Sequence, residues 1–170
     1  MGLRDADRPL DATPPRLPVV TGRAWTFADG LRASDILPAD ASGLQPDAAA
    51  ARLFAALDPA LAARLDAGDV LVAGQQLGGG ADGMAAARAL HAAGIVAVVA
   101  ASYAPGFADA LLDAGVPALE VDAPAVFHTG DRLRINLEAA TIANLSSGDR
   151  QPVRNLTEPV LARLRDLLAS

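Results

Sequence analysis

The chain has 170 residues, an apolar fraction of 52% and a net charge of −6; that length holds one domain with a substantial core, and an acidic chain without a basic stripe argues against nucleic acid. Every basic residue other than the two histidines is arginine, and cysteine is absent, which excludes Schiff-base or lysine general-base chemistry, disulfides, a thiol nucleophile and an iron–sulfur cluster ligated by this chain's own thiolates. No apolar run approaches the ~20 residues of a membrane span, and the charged, Pro-rich N-terminus lacks the apolar core of a signal peptide, so the expectation is a cytoplasmic protein.

Residues 1–18 carry Pro9, Pro14, Pro15 and Pro18 among charges, which forbids a regular element and reads as a flexible arm. A single domain over 19–170 follows. Val19 to Phe27 alternates as a first strand, with Trp25 and Phe27 on one face. The loop after it holds Gly30, Arg32 and the carboxylates Asp29 and Asp35, which either face a ligand or cap and solvate the loop. Pro46 to Leu57 and Asp58 to Ala67 read as two short helices. Leu53, Leu57, Leu61 and Leu65 recur every four residues as their core stripe.

The organising stretch is Gly68 to Ser102. Val70 to Ala73 is a short apolar strand, and Gly78, Gly79 and Gly80 follow it. Asp82 stands where a helix cap belongs, Gly83 to Ala93 is built of helix formers, and Gly94 suits a left-handed C-terminal cap. Ile95 to Ala100 is a second buried strand, so the unit is a right-handed βαβ. Its glycine loop lies at the C-terminal edge of the first strand, where α/β proteins bind ligands. A helix containing Phe107, Leu111 and Leu112 and a strand within Val116 to Val121 extend the pattern, with Pro117 pushing that strand to an edge. Arg132 to Leu137 and Thr141 to Leu145 then form an antiparallel hairpin, Ser146 to Arg150 reads as a polar turn, and Thr157 caps a last helix over Glu158 to Leu168.

Gly78, Gly80 and Gly83 match G-x-G-x-x-G between a strand and a helix, the arrangement that seats a dinucleotide pyrophosphate. Three residues, Gln75, Gln76 and Leu77, separate the strand from the first glycine. No acid ends the second strand for a ribose hydroxyl, and Asp82 brings negative charge to the phosphate position. His91 and His128 stand apart without metal-ligand spacing, and Ser102, Ser146 and Ser147 have no histidine nearby in sequence and no nucleophile elbow.

These segments together resemble the small subunit of 3-isopropylmalate dehydratase, the swivel domain of the aconitase superfamily, over roughly Gly22 to Leu168. GRAWTFADG resembles the family's opening strand and loop, DILPAD (Asp35 to Asp40) its Ile-Leu-Pro segment, and GDVLVAGQQLGGG its ligand loop. AAGIVAVVAASYAPGF, DAGVPALEV and GDRLRINLEAATI resemble the elements that follow. The resemblance implies an α/β swivel-like fold with a parallel βαβ core, an antiparallel hairpin and flanking helices. It also implies a separate large subunit holding a [4Fe–4S] cluster whose open iron binds substrate. The pair would interconvert 2- and 3-isopropylmalate in leucine biosynthesis; homoaconitate hydratase is built alike. No cofactor or metal is expected in this chain.

The substrate loop departs from that pattern. The family's Gly-Ser-Ser-Arg-Glu corresponds to Gly80, Ala81, Asp82, Gly83 and Met84, and an Asn-Thr-Asp run corresponds to Arg32, Ala33 and Ser34, leaving Asp35 of an acidic pair. The later Ser-(Phe/Tyr)-Ala-Arg-Ile-Phe segment, with its following arginine and asparagine, keeps Ser102, Tyr103, Ala104 and Phe107, but Pro105, Asp109 and Ala110 replace the arginines and asparagine. No intact catalytic set remains, and a dianion needs cationic forks. Arg32, in a loop the family uses at its site, reads either as a substitute cation or as an ordinary surface arginine. Three functions stay open: a small subunit of reduced or altered activity, a non-catalytic swivel module that binds a large subunit or itself, and a dinucleotide-binding domain.

Overall fold

The computed structural model describes residues 17–169; the arm expected over 1–18 lies outside them except for Leu17, which is buried, and Pro18, which is exposed. One seven-stranded sheet organises the chain. Its strands are β1 (Val19–Thr26), β2 (Val70–Val72), β3 (Ala97–Ala100), β4 (Ala118–Glu120), β5 (Arg132–Asn136), β6 (Thr141–Asn144) and β7 (Arg150–Pro152), in the order β4-β3-β2-β1-β5-β6-β7. β1 joins two halves. Its residues 24–26 pair parallel with β2, and its residues 19–23 pair antiparallel with β5. β2, β3 and β4 continue the parallel half, and β6 and β7 continue the antiparallel half. This is the α/β class the sequence implies.

The parallel strands are short and apolar because both of their faces are covered. Leu71, Val98, Ala100 and Ala118 point to one face, under α1 (Ala33–Ile36), α2 (Pro46–Ala50), α4 (Gly83–Ala92) and α5 (Phe107–Asp113). Val70, Val72, Ala97, Val99 and Leu119 point to the other, with Leu133, Ile135 and Ile142 and with Leu161 and Leu164 of α6 (Glu158–Ala169). Ala86, Ala87 and Ala89 are fully buried on α4, so the abundant alanine lets that helix lie close to the sheet. Gly94 and Gly115 close α4 and α5 at φ +86 and +91, as the C-terminal cap requires. Trp25 and Phe27 share a face, as period two predicts. Trp25 donates its Nε1–H to the buried Asp69 Oδ2 at 2.7 Å, and that oxygen also accepts from Arg23 Nη2 and Asp66 N.

Two expectations fail for physical reasons. The leucine stripe breaks after α2: Phe54 takes a left-handed backbone (φ +61), donates its N–H to Ile36 O at 2.7 Å and stacks on Phe27 with ring centroids 4.5 Å apart. Burying that ring outweighs helix propensity. It turns Leu57 outward, 51% exposed, before α3 (Leu61–Arg64). Arg150 does not end a turn but starts β7. Gln151 is buried there and holds both polar groups of Ala123, accepting from its N–H at 2.9 Å and donating to its O at 2.7 Å. The hairpin is thereby a three-stranded meander.

Tyr103 ties β3 to β4. Its hydroxyl lies 3.0 Å from Val98 O and 2.9 Å from Leu119 O, and burial, with Glu120 nearby, pushes its phenol well above the usual tyrosine range. Tyr103→Phe removes the donor and leaves both carbonyls without it, so we expect a loss of about 1–2 kcal/mol in urea unfolding with the fold unchanged.

Candidate functional site

Three segments meet at the C-terminal edge of the parallel strands: residues 28–35 after β1, 74–83 after β2 and 101–107 after β3. Backbone bonds lace them together. Gly30 N donates to Gln75 O at 2.8 Å, Gly78 N to Leu31 O at 2.7 Å and Ala33 N to Gly79 O at 2.9 Å. On the other side Leu77 N donates to Ser102 O at 3.1 Å and Ala104 N to Leu77 O at 2.9 Å. Isolated parallel bridges, Arg32 with Gly79 and Leu77 with Tyr103, carry the sheet pattern past the strand ends. The glycine loop is therefore the middle of three, held from both sides.

Each glycine of the loop has a particular neighbour. Gly78 is left-handed (φ +89), and a Cβ there would stand 2.1 Å from the Phe107 ring. Gly83 faces the same ring at 3.3 Å. Gly80 is left-handed (φ +95), and its missing Cβ would lie 2.6 Å from Arg32 Nη2. Gly79 is unconstrained by comparison, its nearest atom being Ala104 Cβ at 3.7 Å. The G-x-G-x-x-G spacing thus makes room for Phe107 below and Arg32 above.

Arg32 precedes α1, and its exposed guanidinium meets no carboxylate among the described residues. Asp35, its neighbour, does not neutralise it: Asp35 Oδ2 accepts the Arg32 backbone N–H at 2.9 Å, a capping contact at the start of α1. Arg154 reaches the same edge but is bound to acids of its own. It donates to Ala101 O at 2.5 Å, to Asp122 Oδ1 at 2.7 Å and to Glu120 Oε1 at 3.2 Å. The sequence reading missed Arg154; the signal was Glu120 and Asp122 at the end of a strand expected at a sheet edge.

The other polar candidates hold the loops together. Asp29 Oδ1 accepts from Gln75 N at 2.7 Å and fills the space beside Gly74. Ser102 Oγ accepts from Gln76 N at 2.9 Å. Asp82 departs from expectation: it begins α4 with a left-handed backbone (φ +65), and its carboxylate makes no capping bond. The extended backbone that aims a capping side chain at the helix N–H groups is missing there. Gly80, Ala81 and Asp82 are exposed, and Met84 is half-buried.

The histidines are elsewhere. His91 lies against Gly115 beside an apolar cavity of about 250 Å³ lined by Val20, Ile95, Ile135 and Leu137. His128 stands at a cleft that includes Asp29 and Phe127, its Nδ1 3.7 Å from Asp131 Oδ2. The backbone N–H of His128 and the Asn144 amide hold the Asp131 carboxyl below the usual range. Among the described residues no group of three or more His, Asp or Glu side chains is placed to hold a metal, and the chain has no cysteine. These residues do not fit an iron–sulfur cluster within this chain. None of the described helices is long and apolar enough to cross a membrane.

No family model matches the chain. Against curated relatives it is 33% identical over 131 residues to the 3-isopropylmalate dehydratase small subunit of Nautilia profundicola, covering 76% of this chain and 79% of that one. The chain belongs to the 3-isopropylmalate dehydratase small-subunit family. It is also 30% identical over 149 residues to the methanogen homoaconitase small subunit of Methanothermobacter thermautotrophicus, covering 87% of this chain and 86% of the relative. The crystal structure of the Methanocaldococcus jannaschii 3-isopropylmalate dehydratase (LeuD) superposes with a TM-score of 0.77 over 89% of this chain and 98% of that one, at 23% identity. It shares the small-subunit fold.

Proposed function

We propose that this chain works as the small subunit of a two-chain hydro-lyase, closing its three-loop edge over a cluster-bearing large subunit that holds a 2-hydroxy acid. On this reading the [4Fe–4S] cluster sits wholly on the partner and supplies a Lewis-acid iron when bound, and the pair works in the cytoplasm. This chain contributes Arg32, whose guanidinium lies over Gly80 without a carboxylate among the described residues. That unspent fork is the observation that carries the proposal, because a substrate carboxylate is the partner a planar guanidinium matches best. Ala81, Asp82 and Gly83 offer neither a hydroxyl to move a proton nor a second cation. Turnover is therefore lower than in a pair with the full loop, by about 10²–10⁴-fold for the missing proton-transfer group.

The bare loop also favours a second reading, a non-catalytic module kept for assembly with the large subunit or with itself. The dinucleotide reading loses its support: Phe107 and Arg32 occupy the spaces its glycines would open to a pyrophosphate, and Asp82 opposes the charge.

Co-expression with the large subunit of the same organism separates these. The proposal expects the two chains to co-purify and to hydrate isopropylmaleate more than about tenfold slower than a pair carrying the intact loop. Failure to co-purify contradicts the small-subunit role. A rate within about tenfold of the intact pair contradicts the weakened loop.

A further inference from the structure

The antiparallel half of the sheet has one bare face. α1, α2, α4 and α5 lie over the parallel half, while on β5–β7, opposite the second core, Arg132, Arg134, Arg150 and Pro152 are exposed and Asn136, Thr141 and Ala143 half-buried. Arg132 and Arg134 alternate with the buried Leu133 and Ile135. The register places Arg134 across from Ala143, and Ala143 across from Arg150. Directly opposed residues share a face, so all three guanidiniums rise from one side. With strands ~4.8 Å apart, Arg134 and Arg150 are about 10 Å apart at their Cα atoms, and Arg132 is about 7 Å along the strand from Arg134.

Arg23, Arg52, Arg64, Arg154, Arg163 and Arg165 each hold a carboxylate. Arg132, Arg134 and Arg150 hold none among the described residues. In a chain of net charge −6, three exposed arginines without a carboxylate among the described residues concentrate positive charge on one face, which an acidic surface complements. Val19 and Leu145, 45% and 52% exposed, lie on the same face. Arg23, directly across from Arg132, carries Asp66 and Asp69 at the β1 border of this face; beyond it, arginine with scattered aliphatics matches the arginine enrichment of protein interfaces.

We infer that this face docks an acidic surface of the large subunit; the inference rests on the small-subunit reading above. A two-fold pairing with a second copy sets arginine against arginine. Nucleic acid is the poorer match, since the face offers no aromatic for base stacking.

The test is the affinity of the full chain for the purified large subunit at 50 and 500 mM NaCl. The variant R132E/R134E/R150E is expected to bind at least about 100-fold more weakly at low salt. The neutral R132Q/R134Q/R150Q is expected to lie between it and wild type with a flatter salt dependence. Arg88→Glu, on α4, serves as a charge control and leaves affinity unchanged. Circular dichroism melts confirm folding of each variant. If wild type binds and the reversed variant binds equally well, the docking face is wrong while the small-subunit role stands. If wild type does not bind, both fall. Binding of wild type to duplex DNA that the reversal abolishes, with large-subunit affinity unchanged, assigns the face to nucleic acid and overturns the inference.

Discussion

Installing serine at 81 and 82 and arginine at 83 raises the turnover of the assembled pair by about 10²–10⁴-fold. Gly83 has an ordinary φ, and a Cβ there would stand 3.3 Å from Phe107 Cδ1, so the change requires the ring to give by a few tenths of an ångström. Residues 81 and 82 are exposed and bear no contacts that a serine would break. Asp82 is left-handed, a conformation that serine tolerates somewhat less well than aspartate. The serine supplies a hydroxyl for proton transfer, and the arginine supplies the second fork for a dianion. Ala81→Ser and Gly83→Arg made singly separate the two contributions, the first in kcat and the second in KM. A restored loop that leaves both constants unchanged contradicts the placement of this loop at the substrate.

Phe107→Ala lowers stability by about 3–5 kcal/mol. The ring is buried to 2% exposure and lies directly beneath Gly78 and Gly83. Its loss removes core volume and the floor of the glycine loop together. Gly78→Ala attacks the same contact from the other side. Its Cβ would meet the ring at 2.1 Å on a backbone at φ +89, which costs about 2–4 kcal/mol from overpacking and left-handed strain. Because the Cβ enters the space the ring leaves, the double variant costs less than the two singles added, by about 1–2 kcal/mol. Urea unfolding measures all three. Gly130→Ala, also left-handed (φ +95) but open on every side, supplies the strain alone. If Gly78→Ala is no worse than Gly130→Ala, the loop does not rest on Phe107.

The unit from β2 through the glycine loop and α4 to β3 was legible in the sequence because its signals are local: apolar runs, a glycine cluster and a run of helix formers. β7 was not, because a three-residue strand containing Pro152 has no alternation, and what holds it is Gln151 reaching Ala123 across the fold. Nor was the break at Phe54, where a stacking partner distant in sequence overrides a good helical stripe. At the site, the glycines were visible but their purpose was not. Phe107 and Arg32 arrive from neighbouring loops, and only the tertiary contacts show what each glycine makes room for. For Asp29 and Asp35 the sequence left open a ligand role or a loop-capping one, and for Ser102 it offered no catalytic partner; each accepts a backbone N–H that stabilises the loops. The arginine face was invisible for a related reason. A linear reading finds no basic stripe, and strand register assembles one.

On the proposed reading, Arg32 carries the carboxylate grip of this family member. The dissociation constant of 3-isopropylmalate for the assembled pair, measured by isothermal titration with wild type, Arg32→Lys and Arg32→Ala, tests this directly. A charge-assisted fork at an exposed site predicts at least about tenfold weaker binding for alanine. Lysine falls between, since it keeps the charge and loses the fork. An unchanged constant for Arg32→Ala, in a pair that still assembles, shows that the substrate carboxylate is held elsewhere.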